Sequence, residues 1–568
     1  MSTRSLVPAL LLLSALVGCD GPAPLPPGED AGTSRDGGGQ VLPEDAGTPS
    51  SGIRRITGLT VTPATLSLKA GAVSGVTATA RFDDGSEAEV SGTVEWSASP
   101  AGVVEVSILS PDSNLVKVVA LAAGTAEIRA KTGSITSEPA AVTVAPAGSG
   151  NGDTDGGSTG YGGADAGALP ADGGTYGPGE VRAIWVTRFA WTTAADITGI
   201  IERAASAHFN TVYFQVRGNG DAYYASTLVP WARKLTGTLG ADPGWDPLQV
   251  ALDAAHARGL HLHAYFNVFA GWTPAAGCAA AGSCTCTPNP TAADACALPP
   301  ASPAGKPNHV LKDHPEWMAV DTGGKSKDTE YYWLSPGNAA VRQHLVDVAD
   351  ELLTKYPVDG LHLDRVRYAD DIYSHDAASV AAYNALPQPR PAWGDWQRQN
   401  VTETVGALYD VLKLRRPGAV LSASVWGIYK ALPGCSTSQG YGGYYQDSIG
   451  WMKKGKIDAL TPMIYWDIGT GGCTDFGRHL DVFMAGASGR QVVAGMLALD
   501  GDQPKLNRIA ARVAYARQVG AGGTAVFASN HLEPKASGSP IWPSVWPQLS
   551  APGAPFTLKA GWPAITWR

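Results

Sequence analysis

The sequence lacks clustered basic residues and, after its first twenty positions, lacks any long apolar run. Its 568 residues carry 42 Lys and Arg against 51 Asp and Glu, which gives a formal net charge of −9. Recognition of phosphates needs clustered positive charge, so this balance argues against a nucleic-acid partner. No transmembrane helix is expected later in the chain, because spanning a bilayer takes about 20 apolar residues. A neutral or mildly cationic ligand such as a sugar is compatible with this charge.

The first 19 residues have the pattern of an export signal. A positive start, MSTR, precedes a short apolar run from Leu6 to Val17, which is too short to cross a bilayer. The run ends in LVGC, which resembles the bacterial lipobox, in which the cysteine is lipidated and becomes the new N-terminus. We therefore expect Cys19 to carry a lipid that holds an exported protein to the membrane of the cell envelope, on its periplasmic or surface face. An ordinary signal peptide with an incidental cysteine is the alternative.

Six further cysteines remain, at Cys278, Cys284, Cys286, Cys296, Cys435 and Cys473. An even number in an exported chain indicates disulfides. The first four lie in one insertion rich in Gly, Ala and Pro and are expected to pair within it. The last two lie in separate later loops and could pair with each other. Zinc in the first cluster is the competing interpretation, but paired CxxC knuckles and an interleaved His are missing, so no metal is predicted.

Composition divides the chain into segments. Residues 20–52 form a tether that cannot build a core, and residues 148–178 form a second linker rich in Gly and Asp. Between them, residues 53–147 alternate short apolar strands with turn residues, which is typical of a small antiparallel sandwich. This segment resembles the type-2 bacterial immunoglobulin-like domain in VTPATLSLKAG, FDDGS, VEWSAS and GTAEIRAK, and the resemblance implies spacing or adhesion. The main domain is expected at 179–550, followed by a tail at 551–568.

From residue 180, eight apolar strand candidates alternate with amphipathic helices. They are VRAIWVT at 181, NTVYFQV at 210, LHLHAYFNV at 260, VDGLHLD at 358, AVLSASV at 419, IDALTPMIY at 457, QVVAGMLAL at 491 and TAVFAS at 524. An open doubly wound sheet would need a Gly-rich phosphate loop after the first strand, where this chain has VTRFAW. We therefore predict an α/β fold, a closed (β/α)₈ TIM barrel preceded by the small all-β domain, and no cofactor.

Chemistry in such barrels lies at the C-terminal ends of the strands. In the fourth predicted strand, Gly360, His362 and Asp364 share one face because side chains alternate along a strand. A carboxylate among Arg and His residues should stay ionised, as a nucleophile or a cation stabiliser requires. The alternative is a structural ion pair of Asp364 with Arg365 or Arg367.

Residues 181 to about 530 resemble the glycosyl-hydrolase-like barrel family catalogued as domain of unknown function 187. The resemblance rests on VRAIWVT, NTVYFQVRGNGDAYYAS, LHLHAYFN, WLSPGNAAVRQHLVDVADELLTKYPVDGLHLDRVRY and ALTPMIYW. It implies a glycoside hydrolase acting on a polysaccharide, and some bacterial members are implicated in cleaving peptidoglycan glycan strands that lack stem peptides. GLHLD also resembles the GxRxD strand of the α-amylase class, which implies that Asp364 is the nucleophile, with His362 where that class has arginine.

Glycoside hydrolysis usually needs a second carboxylate, and the fifth predicted strand supplies none. Asp221 matches the family's Gly-Asp after the second strand and is the first candidate for acid/base or substrate anchor. Asp467 is the second candidate, at the strand-6 position that α-galactosidase-like barrels use for their acid, and Asp500 is a further one. Each could instead cap a loop. Many relatives have a second Asp directly after the strand-4 aspartate, where this chain has Arg365.

The remaining predicted site residues would bind the sugar. Hydrogen-bonding side chains suited to hydroxyls, acetamido groups or a lactyl carboxylate are Arg217, His263, Asn267, His362 and Arg367. Each could instead brace the barrel rim. Trp426, Tyr465 and Trp466 are candidate sugar-stacking faces.

Two other functions stay open at this point. The missing strand-5 acid is compatible with a non-catalytic glycan-binding surface lipoprotein on a decayed barrel. His261 and His263, on the same side of the third predicted strand, leave room for a metal-dependent deacetylase.

Overall fold

The computed structural model describes residues 55–70, 73–91, 93–108, 116–146, 176–177, 179–273, 298–324, 326, 330–500, 503–504, 506–535 and 542–565. The predicted signal peptide with Cys19, the first tether and the cysteines from Cys278 to Cys296 lie outside the described residues. Within those ranges, none of the helices combines the length and apolar character needed to cross a bilayer.

Residues 56–145 form an all-β domain of two sheets. Its strands are β1 Ile56–Thr62, β2 Thr65–Lys69, β3 Val73–Phe82, β4 Glu87–Glu89, β5 Glu95–Ser99, β6 Val104–Ile108, β7 Val116–Ala120, β8 Gly124–Thr132, β9 Ile135–Thr136 and β10 Ala140–Ala145. One sheet runs β1-β3-β7-β6 with β4 on β3, and the other runs β2-β10-β8-β5 with β9 on β8. Along β10, Ala140, Val142 and Val144 are buried and their neighbours exposed, the alternation expected of a strand with one face on a core. The predicted all-β domain is confirmed, whereas its immunoglobulin-like class stays a prediction.

The second domain is a closed barrel of eight parallel strands. They are β12 Val181–Val186, β13 Thr211–Arg217, β14 His261–Asn267, β17 Gly360–Asp364, β18 Val420–Trp426, β19 Ala459–Met463, β20 Gln491–Leu497 and β23 Gly523–Phe527. The last strand pairs with the first, which closes the barrel. Short strands form three additional pairs: β11 Tyr176–Gly177 with β24 Lys559–Ala560, β15 Ala270–Trp272 with β16 Tyr332–Trp333, and β21 Leu499–Asp500 with β22 Gln503–Pro504. The predicted TIM barrel is confirmed.

Helices lie between and after the barrel strands. Their bounds are Ala194–Ser206, Arg233–Thr236, Pro247–His256, Val310–Asp313, Ala339–Lys355, Ala377–Asn384, Trp393–Arg415, Gly440–Gly443, Ser448–Lys453, Phe476–Ala485, Leu506–Gln518, Ser529–Leu532 and Trp546–Ser550, with a 3₁₀ turn at Pro315–Trp317. The first begins with a capping box in which Thr193 Oγ1 accepts from the Asp196 N–H and the Asp196 carboxylate accepts from the Thr193 N–H. Its buried face follows the helical repeat, at Ile197, Ile200, Ile201 and Ala204.

Residues near the end of the chain pack against the N-terminal ends of the barrel strands and cover that end of the barrel. The Trp562 ring stacks on His261, at the start of β14, with centroids 3.6 Å apart. The Glu180 N–H, just before β12, donates to the Gly561 carbonyl at 3.0 Å. Phe556 is fully buried. The described part of the predicted tail is therefore integral to the barrel, and the opposite, C-terminal end is the one left for chemistry.

Candidate active site

Asp364 ends β17 at the barrel mouth, and both of its carboxylate oxygens are held. The Tyr265 hydroxyl donates to Oδ2 at 2.7 Å, and the Arg365 backbone N–H donates to Oδ1 at 2.6 Å. The parallel register sets Asp364 beside Asn267, the last residue of β14. The side chain is 9% exposed. One donor on each oxygen fixes the orientation of the carboxylate while leaving its remaining lone pairs for other groups.

The groups around Asp364 keep their protons. Burial and the negative charge of Asp364 raise the pKa of Tyr265 well above its usual value, and the same two causes raise the pKa of Tyr465. Burial works against the charge of Arg365, but Asp364, Glu330 and Tyr331 outweigh it and raise the pKa of that guanidinium. A fixed cation and two phenol hydroxyls that keep their protons therefore surround the Asp364 carboxylate.

Arg365 turns the chain sharply after β17. Its φ is 50°, in the left-handed region that side chains other than Gly rarely adopt. Its guanidinium Nη2 lies 2.7 Å from Glu330 Oε2 and its Cζ lies 5.3 Å from the Tyr331 ring centroid. Strained backbone of this kind concentrates at functional sites. Here the turn brings the backbone N–H onto Asp364, while the side chain forms its ion pair with Glu330.

A second wall of the mouth is built around Arg188, two residues after β12. Its backbone N–H donates to Gln215 Oε1 at 2.9 Å, and its Nη2 lies 3.3 Å from both Asn219 Oδ1 and the Tyr331 hydroxyl. Burial opposes its charge, but Tyr331, Tyr223 and Asp221 raise the pKa of Arg188. Asp221 is buried and accepts the Asn219 N–H at 2.9 Å. The structure therefore brings Asp221 close to Arg188, which the sequence did not single out.

The loop that carries Asp221 is pinned by the buried imidazole of His309. Its Nε2 donates to the Asn219 carbonyl at 2.6 Å and lies 3.2 Å from the Gly271 carbonyl, and its Nδ1 accepts from the Leu311 N–H at 3.0 Å. Burial lowers the pKa of His309 to about 4, so the ring is neutral at pH 7 and can accept at Nδ1. His309 lies far along the chain from Asp221, and no local sequence signal connects the two.

Arg217, predicted to bind substrate, points away from the mouth. A β-bulge between Gln215 and Arg217 places it opposite Phe266, whose ring centroid lies 5.1 Å from the guanidinium. The fully buried side chain donates through Nη1 to the Asn267 carbonyl and, at 3.1 Å, to that of Val268. Burial lowers its pKa to about 10. The bulge turns Arg217 to the outer side of its strand, where it braces the end of β14.

His362 lies beneath Asp364 rather than beside it. It is fully buried, stacked on Tyr213 with centroids 3.8 Å apart. Its Nδ1 and Nε2 lie 2.8 Å from the hydroxyls of Ser422 and Ser424, and the Trp185 indole N–H donates to Nε2 at 3.0 Å. Burial holds its pKa well below the usual value. His362 thus belongs to a layer of hydrogen-bonded side chains inside the barrel, below the mouth, and does not reach the mouth itself.

His263 and His261 lie still further from the mouth. An added Cβ on Gly360 would lie 2.6 Å from the His263 ring, so the space that the glycine leaves is taken by this histidine. The rings of His261 and His263 lie 6.5 Å apart, and His261 stacks on Trp562 at the opposite end of the barrel. The histidine pair considered for a deacetylase is therefore away from the candidate site. Among the residues that the structure describes, no group of three or more His, Cys, Asp or Glu is placed to hold a metal.

Asp467 faces the outer helix Leu506–Gln518 rather than the barrel axis. Its carboxylate accepts from Arg512 Nη2 at 2.9 Å and from the Arg508 guanidinium. Both oxygens are thus engaged in ion pairs, which does not support the prediction that Asp467 supplies the acid. Trp466 also packs outward, with its ring centroid 6.0 Å from that of His479. Tyr465, in contrast, lies close enough to Asp364 for that negative charge to raise its pKa.

Trp426 stands at the rim, half-buried, and Arg367 is enclosed beneath it. The Trp426 ring is tilted on Tyr444 with centroids 4.4 Å apart, and its indole N–H donates to the Ser438 carbonyl at 2.9 Å. The Arg367 guanidinium lies 4.4 Å from the Tyr444 ring and donates to the carbonyls of Tyr368 and Ala369 at 3.0 and 3.2 Å. Trp426 is therefore the better placed of the two to meet a ligand.

Asn267 is buried beside Asp364. Its Nδ2 donates to the Gly218 carbonyl at 3.0 Å, and its Oδ1 has no partner among the described residues. The amide thus ties the end of β14 to the loop after β13.

Cys435 and Cys473 form a disulfide, with Cα atoms 5.7 Å apart. The bond joins the loop after β18 to the loop after β19, and this predicted pairing is confirmed. It connects the segment that follows Trp426 to the one that follows Tyr465.

Comparison with known proteins identifies a family. A family model described as glycosyl hydrolase-like 10 matches residues 180–475, just over half of the chain. The chain is 29% identical over 265 residues to glycosyl hydrolase DigH of Escherichia coli strain K12, covering 45% of this chain and 54% of that protein. It is 27% identical over 310 residues to glycosyl hydrolase YngK of Bacillus subtilis strain 168, covering 51% and 55%. The chain spans about half the length of these curated relatives.

Among solved structures, the glycoside hydrolase domain of PgaB from Bordetella bronchiseptica matches 62% of this chain and 94% of that domain. The identity is 15% and the TM-score 0.43, so no functional conclusion is drawn from this likeness.

Proposed function

The chain belongs to the glycosyl hydrolase-like 10 family, and we propose that it hydrolyses glycosidic bonds of a polysaccharide with Asp364 as the catalytic carboxylate. The family assignment confirms the resemblance found in the sequence. The observation that carries the proposal is the carboxylate at the tip of the fourth barrel strand, with Tyr265 on one oxygen and the Arg365 N–H on the other. Barrel enzymes place their chemistry at this end of the strands.

The position of Asp364 at the barrel mouth suits two catalytic roles. Asp364 would either attack the anomeric carbon as its bond to the leaving oxygen breaks, or stabilise the positive charge that develops there. In the first case water later releases the sugar from the enzyme. Tyr265 and the Arg365 N–H hold the attacking oxygens in place, and such preorganised donors avoid reorganisation during the reaction.

A second carboxyl group, in its acid form, would donate its proton to the leaving oxygen and become a carboxylate. Asp221 remains the first candidate, since it lies on the wall formed by Arg188 and Tyr331. Asp467 stays the second candidate. Glu330 is a further one, and its carboxylate, like that of Asp467, is engaged by an arginine, here Arg365, the residue next to Asp364.

The proposed substrate is the glycan of bacterial cell-wall peptidoglycan from which the stem peptides have been removed. The family resemblance supports this choice. It also fits an exported protein whose Cys19 carries a lipid and whose all-β domain spaces the barrel from the membrane. Localisation to the cell envelope, on its periplasmic or surface face, is part of the same proposal.

The experiment compares purified protein on denuded glycan strands, intact peptidoglycan and chitin, with products identified by mass spectrometry. Release of new reducing ends from denuded strands, and less from intact peptidoglycan, is the expected result. Binding to denuded strands by calorimetry without any product would favour the glycan-binding alternative instead. Products that lose acetyl groups while the chain stays whole would point to a deacetylase.

A further inference from the structure

Phe189 is the most exposed large apolar side chain in the described part of the chain, with 70% of its surface accessible. It lies in the loop after β12, at the C-terminal end of the barrel, where ligands bind. A single exposed apolar residue needs no explanation by itself. The side chains around Phe189, however, hold its ring in a defined position.

The Phe189 ring is backed by a buried cation. The Arg188 Cζ lies 4.4 Å from the ring centroid, and Arg188 itself is only 6% exposed. Asn219 and Tyr331 hold its guanidinium from the other side. A Cβ on Gly218 would lie 2.7 Å from the Arg188 Cδ, so this arginine position requires glycine there. The ring is therefore supported by a fixed side chain while most of its surface stays open.

The same contacts connect Phe189 to the catalytic carboxylate. Arg188 bonds to the Tyr331 hydroxyl at 3.3 Å, and the Tyr331 ring lies 5.3 Å from the Arg365 guanidinium. Arg365 in turn donates its backbone N–H to Asp364. Phe189 thus stands at the end of a continuous wall that starts at Asp364.

A second aromatic ring lies on the far side of the mouth. The barrel order is β12-β13-β14-β17-β18-β19-β20-β23, so β12 and β18 are four strands apart in a closed ring of eight. They are therefore opposite each other. Trp426 ends β18, half-buried and supported by Tyr444. Asp364 ends β17 and lies on the arc between β12 and β18.

We propose that Phe189 and Trp426 are the two ends of one glycan-binding track that crosses the barrel mouth past Asp364. Aromatic faces on both sides of the cleavage centre bind sugar units on both sides of the bond that is cut. The enzyme therefore acts on internal bonds of a chain rather than trimming single sugars from an end. This inference rests on the proposed function and adds the mode of attack to it.

The test measures binding and cleavage separately, with denuded glycan oligomers of increasing length. Binding is measured by calorimetry in an Asp364→Asn background, where no turnover occurs. We expect Phe189→Ala and Trp426→Ala each to weaken binding of long oligomers by about tenfold and to change binding of the shortest ones little. Leu121→Ala, which removes an exposed leucine from the all-β domain, is the control and should leave binding unchanged.

Cleavage is measured with end-labelled oligomers in the active protein. The wild type should cut internally, and the two aromatic variants should shift the cut toward opposite ends of the oligomer. Long-oligomer affinity unchanged by Phe189→Ala, or a shift in the same direction in both variants, would overturn the track. If the wild type cuts no oligomer, the proposed function fails, and the affinities in the Asp364→Asn background still decide whether the track exists.

Discussion

Acidification should destabilise the barrel through His309. Burial lowers the pKa of this histidine from 6.5 to about 4, so the unfolded chain takes up the proton first as the pH falls. The stability that the folded protein gains from keeping His309 neutral is therefore fully present above about pH 6.5. It is lost as the pH falls toward 4. At about 1.4 kcal/mol per pH unit, this interval corresponds to about 3 kcal/mol. The structural reason is that a proton on Nδ1 would face the Leu311 N–H that now donates to it.

The assay is urea unfolding followed by tryptophan fluorescence between pH 7 and about 5.5, above the range in which most carboxylates titrate. Sixteen of the 17 tryptophans follow residue 180, so this signal reports the barrel domain. His309→Gln keeps a donor for the Asn219 carbonyl but cannot titrate, and we expect it to reduce the pH slope by about one proton. An identical slope in wild type and variant, or stability that rises as the pH falls through this window, would refute the reasoning.

Three other predictions concern single contacts. Tyr265→Phe removes the hydroxyl bond to Asp364 Oδ2 and should lower kcat about 10- to 100-fold with little change in KM, and an unchanged kcat would contradict it. Replacing Cys435 and Cys473 by Ser opens a loop closed over 38 residues and should lower the free energy of urea unfolding by about 4 kcal/mol; an unchanged midpoint would argue against it. Asp467→Asn breaks half-exposed ion pairs and should cost about 1 kcal/mol of stability while kcat is kept, whereas loss of kcat would restore Asp467 as the acid.

The barrel was predictable because parallel strands buried on both faces are mostly apolar, and eight mostly apolar segments alternate with amphipathic helices, although histidines interrupt the third and fourth. The same regularity placed Asp364 correctly at a strand end. The regular alternation of side chains does not hold in β13, where the bulge between Gln215 and Arg217 changes the side of the strand on which Arg217 points. A bulge of this kind leaves no mark in the apolar pattern.

The rest of the site depends on contacts that sequence alternation does not encode. Alternation shows on which side of a strand a residue lies, but not how deep it lies in the barrel. The sequence therefore could not distinguish His362, which is bonded to Ser422 inside the barrel, from a residue at the mouth. Arg188, Tyr331 and His309 come from three separate segments and meet only through tertiary packing. The ion-pair partners of Asp467 lie on a helix about forty residues further along, so its contacts could not be read from the strand that it follows.

The most direct test of the central claim is the turnover of Asp364→Asn on denuded glycan strands, in protein shown by circular dichroism and unfolding to be folded. The substitution keeps the size of the side chain and one acceptor oxygen for the Arg365 N–H, and it removes the charge. The Tyr265 hydroxyl, which donates to Oδ2 in the wild type, would turn to accept from the Asn Nδ2. Loss of kcat by about four orders of magnitude, the scale seen when a catalytic group is neutralised, is the predicted result. A folded Asp364→Asn protein that releases reducing ends at the wild-type rate would contradict the account.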